Sequence, residues 1–212
     1  MTYVRPEGRE RIRMAKEVNQ EKKKLSAGWV VAIVIVVVLV LIVSSGIGMY
    51  NKLVRSEVAV DNQWANVQAV YQRRADLIPN LVETVKGAKD FEQQTLIAIT
   101  EARSAWTNAK TTEEQVAAAN GMESALSRLM VVVENYPELK SNANFLALQD
   151  ELANTENKIA VERQRYNGAV QDFNTKIRVF PTSIVAGMFG FEKRTFFQAT
   201  EGAENAPAVN FP

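Results

Sequence analysis

The feature that most constrains this chain is a long apolar segment without a charged side chain, residues 25–51. All but one of the residues from Val30 to Val43 are Val, Ile or Leu, and Trp29 and Tyr50 lie near its two ends. In a helix that rises roughly 1.5 Å per residue, about 20 such residues cross the hydrocarbon core of a bilayer. Aromatic residues are typical of both membrane–water interfaces. We therefore predict a single transmembrane helix at residues 25–50.

A cleaved signal peptide is the main alternative to a retained transmembrane helix. Signal peptides have an apolar region of about 7–15 residues behind a short basic segment and before small residues. In this chain 24 residues precede a longer apolar run, although Ser44, Ser45 and Gly46 supply a small-residue context. The length of the run favours a retained helix.

Charge is distributed unevenly about the apolar segment. Residues 1–24 form a charged juxtamembrane tail with eight Lys/Arg against four Glu. Its basic cluster, Lys22, Lys23 and Lys24, is expected to contact lipid headgroups, at about 1 kcal/mol per side chain on an anionic surface. The positive-inside rule places this tail in the cytoplasm and the rest of the chain outside. The reverse topology stays open, because a long translocated domain can override the charge bias.

Composition excludes several classes of function. The chain has no histidine and no cysteine, so zinc sites of the HExxH kind, Glu-x-x-His di-iron sites and Ser-His-Asp triads are absent. No glycine-rich phosphate motif occurs. The part after residue 24 is mildly acidic, with seventeen Lys/Arg against twenty Asp/Glu, which argues against nucleic acid as a partner. We predict no cofactor and no metal site.

Beyond the apolar segment, apolar residues recur every seven positions, as on the buried face of a helix. The pattern predicts helices at about 51–87, 90–108, 112–136 and 141–180. Pro79 lies within the first without disturbing the pattern, which indicates one kinked helix. Thr111 and Glu114 form a capping box at the start of the third. Because short turns join antiparallel neighbours, we predict an all-α protein: one N-terminal transmembrane helix followed by an antiparallel long-helix (four-helix) bundle at residues 51–180.

The fourth predicted helix has the clearest apolar row, and the Phe180-Pro181 pair is expected to end it. Members of the row are Phe145, Leu152, Ile159, Tyr166, Phe173 and Phe180. Asp150, Glu151, Glu156 and Glu162 on the same helix are expected to form a solvated face. Paired carboxylates in catalysis would instead need to converge in a cleft.

An aromatic-rich segment, residues 181–199, follows the bundle, and residues 200–212 are expected to form a flexible tail. Three partners are open for the segment: its own bundle, another subunit, or the lipid interface near the membrane. Its candidate oligomer or membrane-interface residues are Ile184, Val185, Met188, Phe189, Phe191, Phe196 and Phe197.

A polar cluster in the first bundle helix is the best candidate contact or structural signature. Its residues are Arg73, Arg74, Asp76, Pro79 and Asn80. Arg73 and Asp76 are three residues apart and are expected to pair. Asn80 is expected to satisfy the carbonyl that Pro79 leaves without a donor. Either a repaired helix kink or a partner contact through the arginines explains the cluster.

Several strings resemble the LemA family of bacterial proteins. They are residues 73–82 (RRADLIPNLV), 148–152 (LQDEL), 155–159 (TENKI) and 165–167 (RYN), together with the Phe180-Pro181 pair and Gly190-Phe191. The resemblance covers roughly residues 45–198 in the same order. It implies a single-pass protein of the bacterial cell (inner) membrane with a long-helix bundle and no established enzymatic activity.

From these features we expect a membrane-anchored helical scaffold or interaction protein of the bacterial envelope, without catalytic activity. Its expected partners are the lipid bilayer, further copies of itself in an oligomer, and other membrane proteins. Apolar surface left over on the long helices and on the aromatic segment favours self-association. The alternatives are a membrane-bound envelope sensor and an enzyme that uses carboxylates alone.

Overall fold

The protein is described from a computed structural model that covers residues 7–89 and 91–198. Two of the expectations above lie outside the described part. The side chains of the basic cluster, Lys22, Lys23 and Lys24, are not described, and neither is the tail at residues 200–212. Both remain predictions.

The chain divides into two compact units, Met1–Lys52 and Leu53–Pro212. The first helix, α1 (Glu7–Lys86), contributes to both and begins earlier than the predicted boundary at residue 25. Within the first unit every side chain from Val30 to Val43 is exposed. A helix that is apolar on all faces and not buried by protein suits lipid rather than water. The predicted long apolar N-terminal helix is confirmed.

A second helix is also long and apolar enough to cross a membrane by length and composition, α3 (Thr112–Val133). Its apolar side chains Ala119, Met122 and Leu129 are completely buried in the second unit. Burial in a protein core explains its hydropathy, so α3 is a bundle helix.

All regular secondary structure of the second unit is helical, and no strand occurs within residues 7–89 or 91–198. The predicted all-α class is confirmed. After α1 come α2 (Gln93–Asn108), α3, α4 (Pro137–Lys140), α5 (Ala143–Lys176) and α6 (Thr182–Phe189). Pro137 begins the short α4 as a separate helix. Gly190, at φ 72°, ends α6 in the left-handed conformation that favours glycine.

Contacts across the bundle give the directions of the helices. Ring centroids of Trp64 and Tyr166 are 5.1 Å apart, whereas Arg74, further along α1, pairs with Glu156. Residue numbers thus rise along α1 as they fall along α5, and the two helices are antiparallel. On α2, Arg103 donates to the Ala75 carbonyl and the Trp106 indole donates to Gln72 (3.3 Å), so α2 is also antiparallel to α1.

The predicted heptad rows form the core. On α1, Leu53, Val60, Val67 and Leu81 are buried. On α5 the row from Phe145 to Phe173 is buried as well, but its last predicted member, Phe180, is 76% exposed. That part of the prediction is wrong, because α5 ends at Lys176 and the row loses its helical spacing beyond that point.

The capping box at the start of α3 is present as predicted. The backbone N–H of Glu114 donates to the Thr111 hydroxyl (3.1 Å), and the N–H of Thr111 donates back to the Glu114 carboxylate (3.1 Å). We expect Thr111→Ala to lower the free energy of unfolding by about 1 kcal/mol, because one backbone donor of the first turn loses its acceptor. Urea unfolding of the full chain in detergent, followed by tryptophan fluorescence, measures this change. A loss near zero would contradict it.

Glu114 should add a pH dependence of known sign. Backbone N–H donors of Lys110 and Thr111 hold the pKa of its carboxyl below the usual value of 4.5. The folded protein therefore gains stability from this group above pH 4.5, and loses it as pH falls through the lower folded pKa. Glu114→Gln should remove this part of the acid-induced loss of stability. Equal pH profiles for the two proteins would exclude the effect.

Candidate functional site

Pro79 lies inside α1 and has no N–H, so the carbonyl of Ala75, four residues earlier, lacks its helical donor. The structure supplies a donor from another helix: Nε of Arg103, on α2, donates to the Ala75 carbonyl oxygen at 3.1 Å. Asn80, which we expected to make this repair, is exposed. The proline position thus joins α1 to α2 through a side-chain hydrogen bond.

This repair predicts a measurable coupling between Pro79 and Arg103. Arg103→Ala should cost about 1–3 kcal/mol of unfolding free energy, because it leaves a part-buried carbonyl without a donor. In a Pro79→Ala background residue 79 regains its N–H, so the same Arg103 change should cost about 1 kcal/mol less. A double-mutant cycle by urea unfolding measures the difference. Additive changes would show that Arg103 stabilises the fold in another way.

Arg73 and Asp76 do not pair with each other as expected. Arg73 instead reaches α5, where its guanidinium binds the Glu151 carboxylate at 2.6 Å. Asp76 accepts a hydrogen bond from Gln72 at 2.8 Å on its own helix. Glu151, which we expected on a solvated face, is therefore a cross-helix partner.

Arg74 is the centre of the candidate site and is almost fully buried, with 5% of its side chain exposed. It donates to the Glu156 carboxylate on α5 and lies 4.0 Å from the Glu123 carboxylate on α3. Its Nε is 3.4 Å from the Thr155 hydroxyl. A guanidinium has five donors in a fixed fork, which suits a buried position between two helices. Arg74 thus ties together three helices of the bundle.

Glu123 was not a candidate from the sequence. Its carboxylate accepts hydrogen bonds from Tyr71 and Arg163 and lies 4.0 Å from Arg74. The Tyr71 hydroxyl donates to it at 2.5 Å and Arg163 donates at 2.6 Å. Burial raises the pKa of Tyr71, and the Glu123 carboxylate raises it further. The tyrosine therefore keeps its proton and acts as a donor. We call this group, Tyr71, Arg74, Glu123, Glu156 and Arg163, the arginine cluster.

The aromatic-rich segment is divided by the fold. Phe197 is 4% exposed and lies in the bundle core, so it must be removed from the candidate contact set. Phe191 is partly buried against the same core, and Val185 is half-buried. Phe196 is exposed. Because a buried phenylalanine directly follows an exposed one, composition alone could not predict which of the two enters the core.

The remaining apolar residues of the segment form an exposed surface on and beside α6, which we call the apolar ridge. Its members are Val179, Phe180, Ile184, Met188 and Phe189, each more than half exposed. No charged residue occurs between Val179 and Phe191. Ile184 and Met188 are four residues apart and share one face of α6, so the ridge is a candidate contact site for protein or lipid.

The acidic and basic side chains of the arginine cluster are paired with one another. Each of its carboxylates accepts from an arginine, and Glu123 accepts from a tyrosine as well. Among the described residues no group of three or more acidic side chains is arranged to hold a metal ion.

Comparisons with known proteins give one family. A family model described as LemA family matches residues 63–211. Protein LemA of Metamycoplasma hominis is 30% identical over 156 residues, which cover 73% of this chain and 71% of that protein.

Magnetosome proteins named MamQ match a shorter part of the chain. Magnetosome protein MamQ 2 of Paramagnetospirillum magneticum is 36% identical over 81 residues, or 38% of this chain and 30% of that protein. Magnetosome protein MamQ of Magnetospirillum gryphiswaldense is 31% identical over 80 residues, or 38% of this chain and 29% of that protein. The similarity thus covers less than a third of the length of each of these two MamQ proteins.

Proposed function

Since the chain belongs to the LemA family, we propose that it is a membrane-anchored helical scaffold of the bacterial cell membrane that assembles with further copies of itself. It is a membrane-associated helical protein by its long apolar helix and by its relatives. The observation that carries the finer proposal is the apolar ridge. Its five large apolar side chains are each more than half exposed.

A second copy suits the ridge for a chemical reason. The ridge has no charged residue that would have to lose its hydration when another apolar surface covers it. Copies held in one bilayer meet at a raised effective concentration, so a modest contact area gives association. Other membrane proteins with an apolar surface are partners by the same chemistry.

The proposal assigns no catalytic step to the chain. The arginine cluster supports the absence of a catalytic step from the proposal, because each of its carboxylates is paired with an arginine. Candidate residues Arg73 and Arg74 act within the fold through Glu151 and Glu156, so we assign them a role in holding α1 to α5. The orientation that we propose, with residues 1–24 in the cytoplasm and the bundle outside, rests on the basic residues before the apolar segment.

Self-association through the ridge can be tested with single cysteines, because the natural chain has none. Met188→Cys places a thiol on the ridge, and Val131→Cys places one on α3, where Val131 is 70% exposed. In membranes treated with a short bis-maleimide, we expect the Met188 variant to form a cross-linked dimer and the Val131 variant to stay monomeric. Gel electrophoresis measures the dimer.

Two results would count against this proposal. Equal cross-linking of both variants would indicate random collision in the membrane. A Met188 variant that neither cross-links nor reacts with a water-soluble maleimide would place the ridge in lipid.

A further inference from the structure

Residues 191–198 lie against the bundle beyond α6, and we call them the strap. The Asn174 side chain accepts from the backbone N–H of Arg194 and donates to its carbonyl, both at 2.9 Å. Asn167 does the same with Phe197, at 2.8 Å for the N–H and 2.9 Å for the carbonyl. Two asparagines of α5 therefore hold the strap by its backbone, independent of side-chain identity.

The spacing of these contacts defines an extended peptide. Asn167 and Asn174 are seven residues apart, which is about 10 Å along a helix. Arg194 and Phe197 are three residues apart, and three residues cover about 10 Å only when the chain is extended. The strap thus runs antiparallel to α5, and the backbone groups of residues three apart face the same helix, a repeat that fits the three-residue period of polyproline II.

Two side chains of the strap enter specific positions in the groove. The Arg194 guanidinium binds Glu57 at 2.9 Å and lies 3.4 Å from Asp61, both on α1. Phe197 enters an aromatic slot, where its ring stacks on Tyr71 (5.9 Å, 6°) and lies 4.1 Å below the guanidinium carbon of Arg163. The groove thus binds a basic side chain and, three residues further along the strap, a phenylalanine ring.

Three other side chains of the strap lie on its solvent side. Glu192, Lys193 and Phe196 are exposed. An open cleft of ≈ 380 Å³ is lined by the strap on one side and by Glu57, Asp61 and other bundle residues on the other.

Burial raises the pKa of Tyr166, so its hydroxyl keeps its proton and donates to the Thr195 carbonyl at 2.8 Å. This contact too is made to the backbone.

We propose that this groove of α1 and α5 is a binding site for an extended peptide with a basic residue three positions before a phenylalanine, and that the strap fills it as a displaceable internal ligand. The asparagine pairs supply recognition of any extended backbone, while the Glu57–Asp61 pair and the aromatic slot supply selectivity. A partner protein with such a segment gains access when the strap leaves. This inference goes beyond the scaffold proposal, because the ridge takes no part in it.

The test uses the full chain in detergent and a fluorescein-labelled peptide with the sequence of residues 190–198. The wild-type strap competes at a high effective concentration, so we expect weak binding of the peptide. In the variant Arg194→Ala with Phe197→Ala the groove is intact and the strap is weakened. That variant should bind the peptide about 10- to 100-fold more tightly by fluorescence anisotropy.

Matched controls separate groove recognition from adhesion. Lys193→Ala with Phe196→Ala changes the same residue classes at exposed strap positions and should bind like wild type. Adding Asn167→Ala and Asn174→Ala to the variant with Arg194→Ala and Phe197→Ala should abolish the gain. A peptide in which the residues corresponding to Arg194 and Phe197 are alanine should not bind. Empty micelles measure adhesion of the peptide to detergent.

Folding of each variant is checked by thermal unfolding. If the variant with Arg194→Ala and Phe197→Ala unfolds, the single variant Arg194→Ala is used instead, because it leaves the aromatic slot filled. We expect it to bind the peptide several-fold more tightly than wild type. The proposal is overturned if a folded strap-weakened variant binds the peptide no more tightly than wild type, or if binding survives the loss of both asparagines.

Discussion

Replacing Arg74 with alanine is expected to lower the free energy of unfolding by about 3 kcal/mol, whereas the same replacement at its neighbour Arg73 should cost less than about 1 kcal/mol. The two residues are adjacent and chemically identical, so they form a matched pair. Arg74 has 5% of its side chain exposed and Arg73 has 59%. The difference therefore measures what burial does to an ion pair.

The physical reason is the group left behind. Removing one partner of a buried pair leaves an uncompensated charge, at a typical cost of about 3–5 kcal/mol. We expect the lower end, because Glu156 is 54% exposed and water can reach it, while Glu123 keeps Arg163 and Tyr71. The Arg73 pair with Glu151 is solvated, and exposed pairs contribute little.

Urea unfolding of the full chain in detergent, followed by the fluorescence of Trp64 and Trp106, measures both changes. Arg74→Lys is an informative third variant, because it keeps the charge but loses the planar fork that serves two helices at once. It should be less stable than wild type. Equal costs for Arg73→Ala and Arg74→Ala would contradict the role assigned to Arg74.

Phe197→Ala should be the second large change, at about 3 kcal/mol, while Phe196→Ala should stay within about 0.5 kcal/mol of wild type. Phe197 is 4% exposed and contacts Tyr71, Trp64 and Arg163, whereas Phe196 is 41% exposed. Truncation of the buried ring loses its transfer free energy and leaves a cavity between two aromatic rings.

The same urea unfolding experiment measures the stability of Phe197→Ala and Phe196→Ala, and it also shows whether the strap is released before the helices unfold. Trp64 lies 6.2 Å from the Phe197 ring, so release of the strap alone should shift tryptophan emission before the helices unfold. An early shift in Phe197→Ala, absent in Phe196→Ala, is expected. A Phe196→Ala variant as unstable as Phe197→Ala would show that the burial pattern of the strap is different.

The features that the sequence by itself determined are those carried by local or periodic signals. The uncharged apolar segment predicted the long N-terminal helix, because its length and composition suit a bilayer whatever follows. The heptad rows predicted the helices and most of the core, since a period near 3.6 residues places every member on one face. The capping box at Thr111 and Glu114 is likewise local, with both partners within one turn.

Tertiary structure alone decided which polar groups meet. Arg103 repairs the carbonyl of Ala75 from 28 residues away, and Arg74 meets Glu156 across 82 residues. Local spacing instead indicated Asn80 and an Arg73–Asp76 pair, because those are the neighbours that a single helix offers. The seven-residue spacing of Asn167 and Asn174 was visible in the sequence, but its meaning was not.

The same limit applies to the aromatic-rich segment. Composition marked Phe196 and Phe197 alike, and the fold buries one and exposes the other. Which ring enters the core depends on where the extended strap meets α5, and that register is set by backbone contacts with two asparagines far along the chain. Periodicity fixes the face of a helix, whereas contacts between distant segments fix the partners of each side chain.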